Sequence, residues 1–201
     1  MRATSSTPLV LGSGSPRRKE ILESLGIPHV VLQPDVDETP RPGEAPDAYL
    51  RRIVLAKLEA VTRRVDGEPT LRAAGVLAAD TSVICEGDIL GKPVDLADAR
   101  RMVARLAGRA HEVHTRFAVK AAGIAGAPHA ETVITRVYFR SLEPGEIDGY
   151  SDSGEGMDKA GAYAVQGRGA GLVSRIEGSY TNVVGLPACE VVVALRRLGL
   201  A

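Results

Sequence analysis

The chain has 201 residues, which is enough for one generous domain or for two small lobes that share a core. Its 25 lysine and arginine residues balance 25 aspartate and glutamate residues, so the overall charge gives no indication of nucleic-acid or membrane binding. No apolar run approaches a membrane span, and the polar N-terminus lacks the apolar centre of a secretion signal. Cys85 and Cys189 lie in apolar runs typical of buried, reduced thiols, so we expect a cytoplasmic protein.

The first predicted elements frame a candidate phosphate site. Residues 9–11 predict a strand, and a turn of glycine and serine joins it to a helix that begins with a proline after Ser15. Arg17 and Arg18 follow in the first helical turn, where the helix dipole normally favours acidic residues. A solvated surface turn is the alternative, but the paired arginines favour a phosphate site that also uses Ser13, Ser15 and backbone N–H groups.

A second strand is predicted at His29–Leu32, and an irregular loop rich in proline follows over residues 34–43. The loop carries the carboxylates of Asp35, Asp37 and Glu38. It is either an ordinary solvated loop or the source of an oxygen ligand for Mg²⁺ or Mn²⁺.

A long helix predicted over residues 46–64 carries a lysine on its apolar face. Lys57 falls within the stripe formed by Leu50, Ile53, Val54, Leu58 and Val61. Its side chain either snorkels to an edge or points into a polar cavity. If the ammonium is unpaired beside Arg17 and Arg18, Lys57→Met should lower activity while the melting temperature stays unchanged or rises.

An aspartate interrupts the next apolar strand, which is predicted over residues 75–79. Burying a carboxylate there without a partner would be costly. We interpret Asp80 as a metal ligand or general base at a strand end that faces a cleft, rather than as a structural aspartate capped by its neighbours. Lys92 lies between a glycine and a proline, on a stiff loop that can hold its ammonium group in place.

The rest of the chain predicts a helix over residues 96–106 capped by Asp95, and a long hairpin whose strands contain residues 113–119 and 133–139. The later elements are a short helix at 146–150, a polar loop at 153–161 that contains Lys159, strands at 163–166 and 172–176, and a helix from Pro187 to about Leu198. Gln166 ends the first of these strands, and its amide offers a donor and acceptors for the edge of a nucleobase.

Several of these segments form an ordered set that covers nearly the whole chain: Ser13-Gly-Ser-Pro-Arg-Arg18, Asp37-Glu38, Ala79-Asp-Thr81, Leu90-Gly-Lys-Pro93, Leu106-Ala-Gly-Arg-Ala-His111, Asp158-Lys-Ala-Gly-Ala-Tyr163, Gln166-Gly167 and Val184-Gly-Leu-Pro187. As a set, they resemble the Maf family of nucleoside triphosphate pyrophosphatases. The resemblance implies a mixed α/β fold related to that of inosine triphosphate pyrophosphatases. We therefore expect a long mixed sheet flanked by helices and two lobes with a central cleft, within a single Maf-like domain over residues 1–201.

The resemblance also implies an activity, namely hydrolysis of a nucleoside triphosphate to the monophosphate and pyrophosphate with a divalent cation, Mg²⁺ or Mn²⁺. The implied partner is the nucleotide alone, without nucleic acid or membrane, and a homodimer is expected by analogy. The set Arg17, Thr81 and Gln166 resembles the subfamily that hydrolyses dTTP and UTP rather than 7-methyl-GTP. Modified pyrimidine nucleotides are further candidate substrates.

By the same resemblance, Glu38 and Asp80 are the metal ligands, and Asp80 is the proton acceptor. The resemblance also implies seven substrate ligands, namely Ser13, Arg17, Arg18, Lys57, Thr81, Lys92 and Gln166. Ser15 of the phosphate turn and Lys159 of the polar loop are further candidate substrate ligands. The cations among these ligands would neutralise the triphosphate and the metal would polarise the α-phosphate, while Asp80 or a hydroxide on the metal would activate water.

Two other classes of function remain as alternatives. One is a nucleotide-binding regulator of cell division or septum formation that acts without significant turnover, although an intact Asp80 argues against it. The other is a P-loop or Rossmann protein, but the glycine patterns of those folds do not follow any predicted strand.

Overall fold

The computed structural model describes residues 2–68 and 70–201. Its strands are β1 (Leu9–Gly12), β2 (His29–Val31), β3 (Gly75–Cys85), β4 (Asp88–Leu90), β5 (Ala110–Ala121), β6 (His129–Phe139) and β7 (Val173–Glu177). Its helices are α1 (Pro16–Ser24), α2 (Pro46–Asp66), α3 (Leu96–Leu106), α4 (Pro144–Asp152), α5 (Tyr180–Val184) and α6 (Ala188–Arg197).

The strands of the described chain form one mixed sheet in the order β2-β1-β3-β5-β6-β7, and β4 pairs with β3. Strand β1 is parallel to β2 and β3, whereas the β3–β4 and β6–β7 pairs are antiparallel. The predicted mixed α/β fold, with a mixed sheet flanked by helices, is confirmed. No helix in the described part of the chain is long and apolar enough to cross a membrane.

The chain divides into two compact units, and the first comprises residues 1–80, 115–132 and 185–201. In this unit, β1 lies between β2 and β3 and is buried along its whole length. The apolar stripe of α2 packs against these strands, because residues spaced three and four apart share one helix face. Val54, Leu58 and Val61 of α2 join Val10 and Val76 in this core.

The second unit comprises residues 81–114 and 133–184. Its core is built around α3, whose Met102, Val103 and Leu106 pack with Val137 and Phe139 of β6. Asp95 caps α3 as predicted, because its side chain accepts a hydrogen bond from the backbone N–H of Asp98 at 2.7 Å.

The predicted strand over residues 163–166 is wrong, because these residues have no strand pairing in the structure. The sequence of residues 163–166 predicted a strand, but short 3₁₀ turns at Ala160–Ala162 and Gly167–Gly171 flank this segment. The backbone N–H of Ala164 donates to the Tyr150 hydroxyl at 3.0 Å instead of to a neighbouring strand.

Two smaller expectations also differ from the structure. Strand β3 continues through Asp80 to Cys85, so Asp80 lies within a strand rather than at its end. Cys85 is buried as expected, but Cys189 is exposed because α6 buries Val191, Ala194 and Leu195 on its inner face. The apolar neighbours of Cys189 in sequence did not reveal which face of the helix it occupies.

Candidate active site

The turn after β1 is held together by Ser13 and Arg18. The Ser13 hydroxyl accepts hydrogen bonds from the backbone N–H of Ser15 at 3.2 Å and from Nη1 of Arg18 at 2.8 Å. Arg18 Nε donates to the backbone carbonyl of Gly185 at 2.8 Å. Because Ser13 and Arg18 are 4% and 7% exposed, these bonds fix the turn in a largely water-free environment.

Arg18 therefore supports the turn as well as adding positive charge to it. Burial lowers the pKa of its guanidinium and the neighbouring Arg17 also lowers it, while the carboxylates of Asp80 and Glu38 partly oppose this effect. Arg17 and Ser15 are half-buried at the same turn. Ser15 is the N-cap residue of α1, but its side chain makes no capping hydrogen bond.

Lys57 of α2 does not reach water. Its Nζ atom donates to Oδ1 of Asp80 at 2.7 Å and lies 2.9 Å from Oε1 of Glu38. The residue is 5% exposed, which excludes the snorkelling interpretation. The expectation of an unpaired lysine is also wrong, because two carboxylates share its charge.

The charge partner of Asp80 in β3 is Lys57, which lies on α2. Asp80 is 8% exposed within β3, and Lys57 supplies the opposite charge that a buried carboxylate requires. The side chain of Glu38 is about half exposed and approaches the same ammonium from the proline-rich loop. The two carboxylates thus converge on one point, although they are 42 positions apart in the sequence.

Tyr49 and Arg52 of α2 hold the proline-rich loop against this helix, and neither residue was predicted from the sequence. The Tyr49 hydroxyl donates to the backbone carbonyl of Glu38 at 3.1 Å. Arg52 binds both carboxylate oxygens of Glu44, at 2.7 and 2.6 Å, and also donates to the Thr39 carbonyl at 3.0 Å. This pairing lowers the pKa of Glu44 to about 2.

A helical spacing in the sequence could have revealed Tyr49. It precedes Ile53 and Lys57 by four and eight positions, so all three lie on one face of α2. Burial raises the pKa of the Tyr49 phenol, and the nearby charges of Asp80 and Glu38 raise it further. The phenol therefore stays neutral and acts as a hydrogen-bond donor to the loop.

Glu38 and Asp80 fit a divalent cation as two ligands of a larger set. Within residues 2–68 and 70–201, no three His, Cys, Asp or Glu side chains gather as a candidate metal site. Mg²⁺, however, is usually held by one or two carboxylates together with substrate phosphates and water. Mn²⁺ prefers the same oxygen ligands. The donor set is therefore compatible with either cation if a triphosphate supplies the remaining oxygens.

The other candidate residues belong to the second unit. Thr81 follows Asp80 in β3 and is half-buried, whereas Lys92 and Gln166 are exposed. Lys159 Nζ donates to the Glu155 carbonyl and to Oδ1 of Asp158, both at 2.5 Å. The structure thus brings Ser13 to Arg18 and Lys57 to Glu38 and Asp80 in the first unit, and it ties Lys159 to its own loop in the second.

Serine, arginine and backbone N–H donors in a turn at a helix N-terminus are typical of phosphate-binding sites. The family model described as "Maf-like protein" matches residues 8–198. A relative from Myxococcus xanthus is 49% identical over 196 residues, which cover 96% of this chain and 94% of the relative. One from Citrifermentans bemidjiense is 47% identical over 194 residues, which cover 96% of this chain and 97% of the relative.

The chain belongs to the Maf family. Both of these relatives carry the name dTTP/UTP pyrophosphatase. Among solved structures, the Staphylococcus aureus Ham1 protein matches with a TM-score of 0.43 and 14% identity, over 66% of this chain and 72% of that chain.

Proposed function

We propose that this protein hydrolyses nucleoside triphosphates, dTTP and UTP first among them, to the nucleoside monophosphate and pyrophosphate. The names of relatives that are 47–49% identical over nearly the whole chain support this activity. They do not favour the alternative of a cell-division regulator without turnover. The observation that carries the chemistry is the contact of Lys57 with Asp80 and Glu38 in the unit that also contains the Ser13–Arg18 turn.

In this proposal, the turn binds the triphosphate chain. Ser13 and Ser15, the turn's backbone N–H groups and the guanidinium of Arg17 donate hydrogen bonds to phosphate oxygens. Arg18 keeps Ser13 in place and adds positive charge. Lys57, Lys92 and Lys159 supply further cations, which stabilise the charge that develops on the pyrophosphate leaving group.

Asp80 acts as the general base. Its carboxylate takes a proton from a water molecule while the water oxygen forms a bond to the α-phosphorus. The bond from that phosphorus to the bridging oxygen breaks, and the electron pair leaves with pyrophosphate. A divalent cation held by Glu38 and Asp80 would neutralise and polarise the phosphates when bound. By contacting both Glu38 and Asp80, Lys57 keeps together the two carboxylates that would hold the divalent cation.

Base selection is proposed for the set Arg17, Thr81 and Gln166, of which the last two belong to the second unit. Thr81 and Gln166 present a hydroxyl and an amide, which can donate to and accept from the edge of a pyrimidine. We propose that residues 1–201 act as one Maf-like domain, because a single family model covers 8–198 and spans residues of both units. Free nucleotides are cytoplasmic, and we propose that the protein acts there, as a homodimer by analogy with its family.

A panel of nucleoside triphosphates tests this function. With Mg²⁺ or Mn²⁺ present, we expect pyrophosphate release from dTTP and UTP with a higher kcat/KM than from ATP or GTP. Pyrophosphate and orthophosphate are measured separately, because a phosphatase that removes the terminal phosphate would give only the latter. Orthophosphate as the first product, or a preference for purine nucleotides, would contradict the proposal.

A further inference from the structure

Gln166 lies at the start of a 3₁₀ turn, a position from which a side chain can accept hydrogen bonds from the backbone N–H groups of the turn. It is the N-cap of the 3₁₀ turn Gly167–Gly171, and yet its side chain makes no capping hydrogen bond. A Ser, Thr, Asp or Asn side chain at the N-cap usually accepts from the N–H group two or three positions later, but glutamine is not among these residues. Here those groups belong to Arg168 and Gly169, so another acceptor has to satisfy them.

Glu155 supplies that acceptor. Its Oε2 accepts from the N–H of Arg168 and its Oε1 from the N–H of Gly169, both at 2.9 Å. Burial by itself would raise the pKa of Glu155, but the bonds from these two N–H groups, the Tyr150 hydroxyl and the charge of Lys159 outweigh it and lower the pKa. The carboxylate of Glu155 therefore caps the turn, and the side-chain amide of Gln166 makes no hydrogen bond to the turn's backbone.

Tyr150 and two glycines fix the geometry of this cap. The Tyr150 hydroxyl donates to Oε1 of Glu155 at 3.2 Å and accepts from the N–H of Ala164 at 3.0 Å. A Cβ on Gly167 would lie 2.5 Å from Oε2 of Glu155, and one on Gly169 would lie 2.0 Å from the Ala164 carbonyl. Side chains at either position would push the carboxylate or the chain away, so the close approach requires glycine.

We infer that Glu155 is a positioning residue for base selection. By capping the 3₁₀ turn in place of Gln166, it fixes the backbone at residue 166 and leaves that amide to bind a nucleobase. Uracil and thymine present one N–H donor between two carbonyl acceptors, and a single amide can pair with a donor and an acceptor at once. This inference rests on the proposed function, since it assumes that Gln166 faces a pyrimidine.

The test is Glu155→Gln, compared with wild type in kcat/KM for UTP and for ATP. The amide keeps the side chain's size, but its NH₂ group cannot accept from a backbone N–H, so one of the two caps is lost. We expect kcat/KM for UTP to fall about tenfold through KM, which is the factor expected for roughly one hydrogen bond. The value for ATP should change little, so the preference for UTP over ATP shrinks. Inhibition by pyrophosphate, which has no base, should be unchanged.

Three further variants separate positioning from simple loss of stability. In a Gln166→Ala background, Glu155→Gln should shrink the UTP preference no further, because it acts through Gln166. Tyr150→Phe keeps both hydrogen bonds from the backbone to Glu155 and should reduce the preference for UTP over ATP by a smaller factor. This variant provides the test if Glu155→Gln does not fold. Glu177→Gln is the control, since this exposed glutamate accepts from the Tyr138 hydroxyl at 2.7 Å elsewhere in the unit.

Two results would overturn the inference, and they differ from each other. An active wild type whose Glu155→Gln variant loses UTP and ATP turnover equally would make Glu155 a purely structural residue. A wild type that releases no pyrophosphate from any nucleotide would defeat the proposed function, and this inference with it.

Discussion

Asp80→Asn is expected to abolish pyrophosphate release while the protein stays folded and still binds nucleotide. The asparagine carbonyl can accept the hydrogen bond that Lys57 donates to Oδ1 of Asp80, so the contact between α2 and β3 survives. The amide can neither take a proton from water nor act as an anionic metal ligand. Loss of a general base alone slows an enzyme by about 10²–10⁴-fold, and loss of a metal ligand adds to this.

Single-turnover pyrophosphate release gives the rate, and calorimetric titration with a non-hydrolysable triphosphate gives the binding. Asp35→Asn is the matched control, because it makes the same chemical change at an exposed carboxylate of the proline-rich loop. A near-normal rate in Asp80→Asn would show that the reaction needs no base at this position.

Lys57→Met is expected to lower both stability and activity. Methionine fills the volume of the lysine stem but leaves the buried carboxylate of Asp80 without the ammonium that donates a hydrogen bond to it. Removing one member of a buried ion pair costs about 3–5 kcal/mol. For a chain of this size, that corresponds to a fall in melting temperature of about 10 °C. This reverses the expectation from sequence, which assumed an unpaired ammonium.

Activity of Lys57→Met should fall by about one to two orders of magnitude in kcat/KM, because the proposed function gives Lys57 a charge-assisted hydrogen bond to the triphosphate that methionine cannot make. Lys19→Met is the control for stability. Lys19 lies 3.4 Å from Glu23 on α1 with both side chains half exposed, and such pairs contribute at most about 1 kcal/mol. A melting temperature of Lys57→Met equal to that of the wild type would mean that the ion pair between Lys57 and Asp80 is not formed in solution.

Local patterns were enough to predict most helices and strands. Helix α3 was predicted with its observed bounds, and the cap residue Asp95 at its start is a signal that acts within a few residues. The stripe of α2 was also predicted, and with it the inward position of Lys57. Such signals fail where the backbone bonds to a distant side chain, as at Ala164, whose N–H is satisfied by Tyr150.

Local sequence patterns could not predict which site residues contact each other. Lys57 and Asp80 were each selected for being polar in an apolar surrounding, but nothing within 23 positions of sequence indicates that they contact each other. No role was predicted for Glu155 from the sequence, since the two backbone N–H groups that it caps lie 13 and 14 positions away. Family resemblance supplied roles for individual residues, whereas the structure supplied the contacts between them.

The most direct measurement of the central claim is turnover of UTP in water labelled with heavy oxygen, with mass spectrometry of both products. If water attacks the α-phosphorus, as the proposed function requires, we predict one labelled oxygen in UMP and none in the pyrophosphate. Label in the pyrophosphate, or labelled orthophosphate as the first product, would contradict hydrolysis at the α-phosphorus.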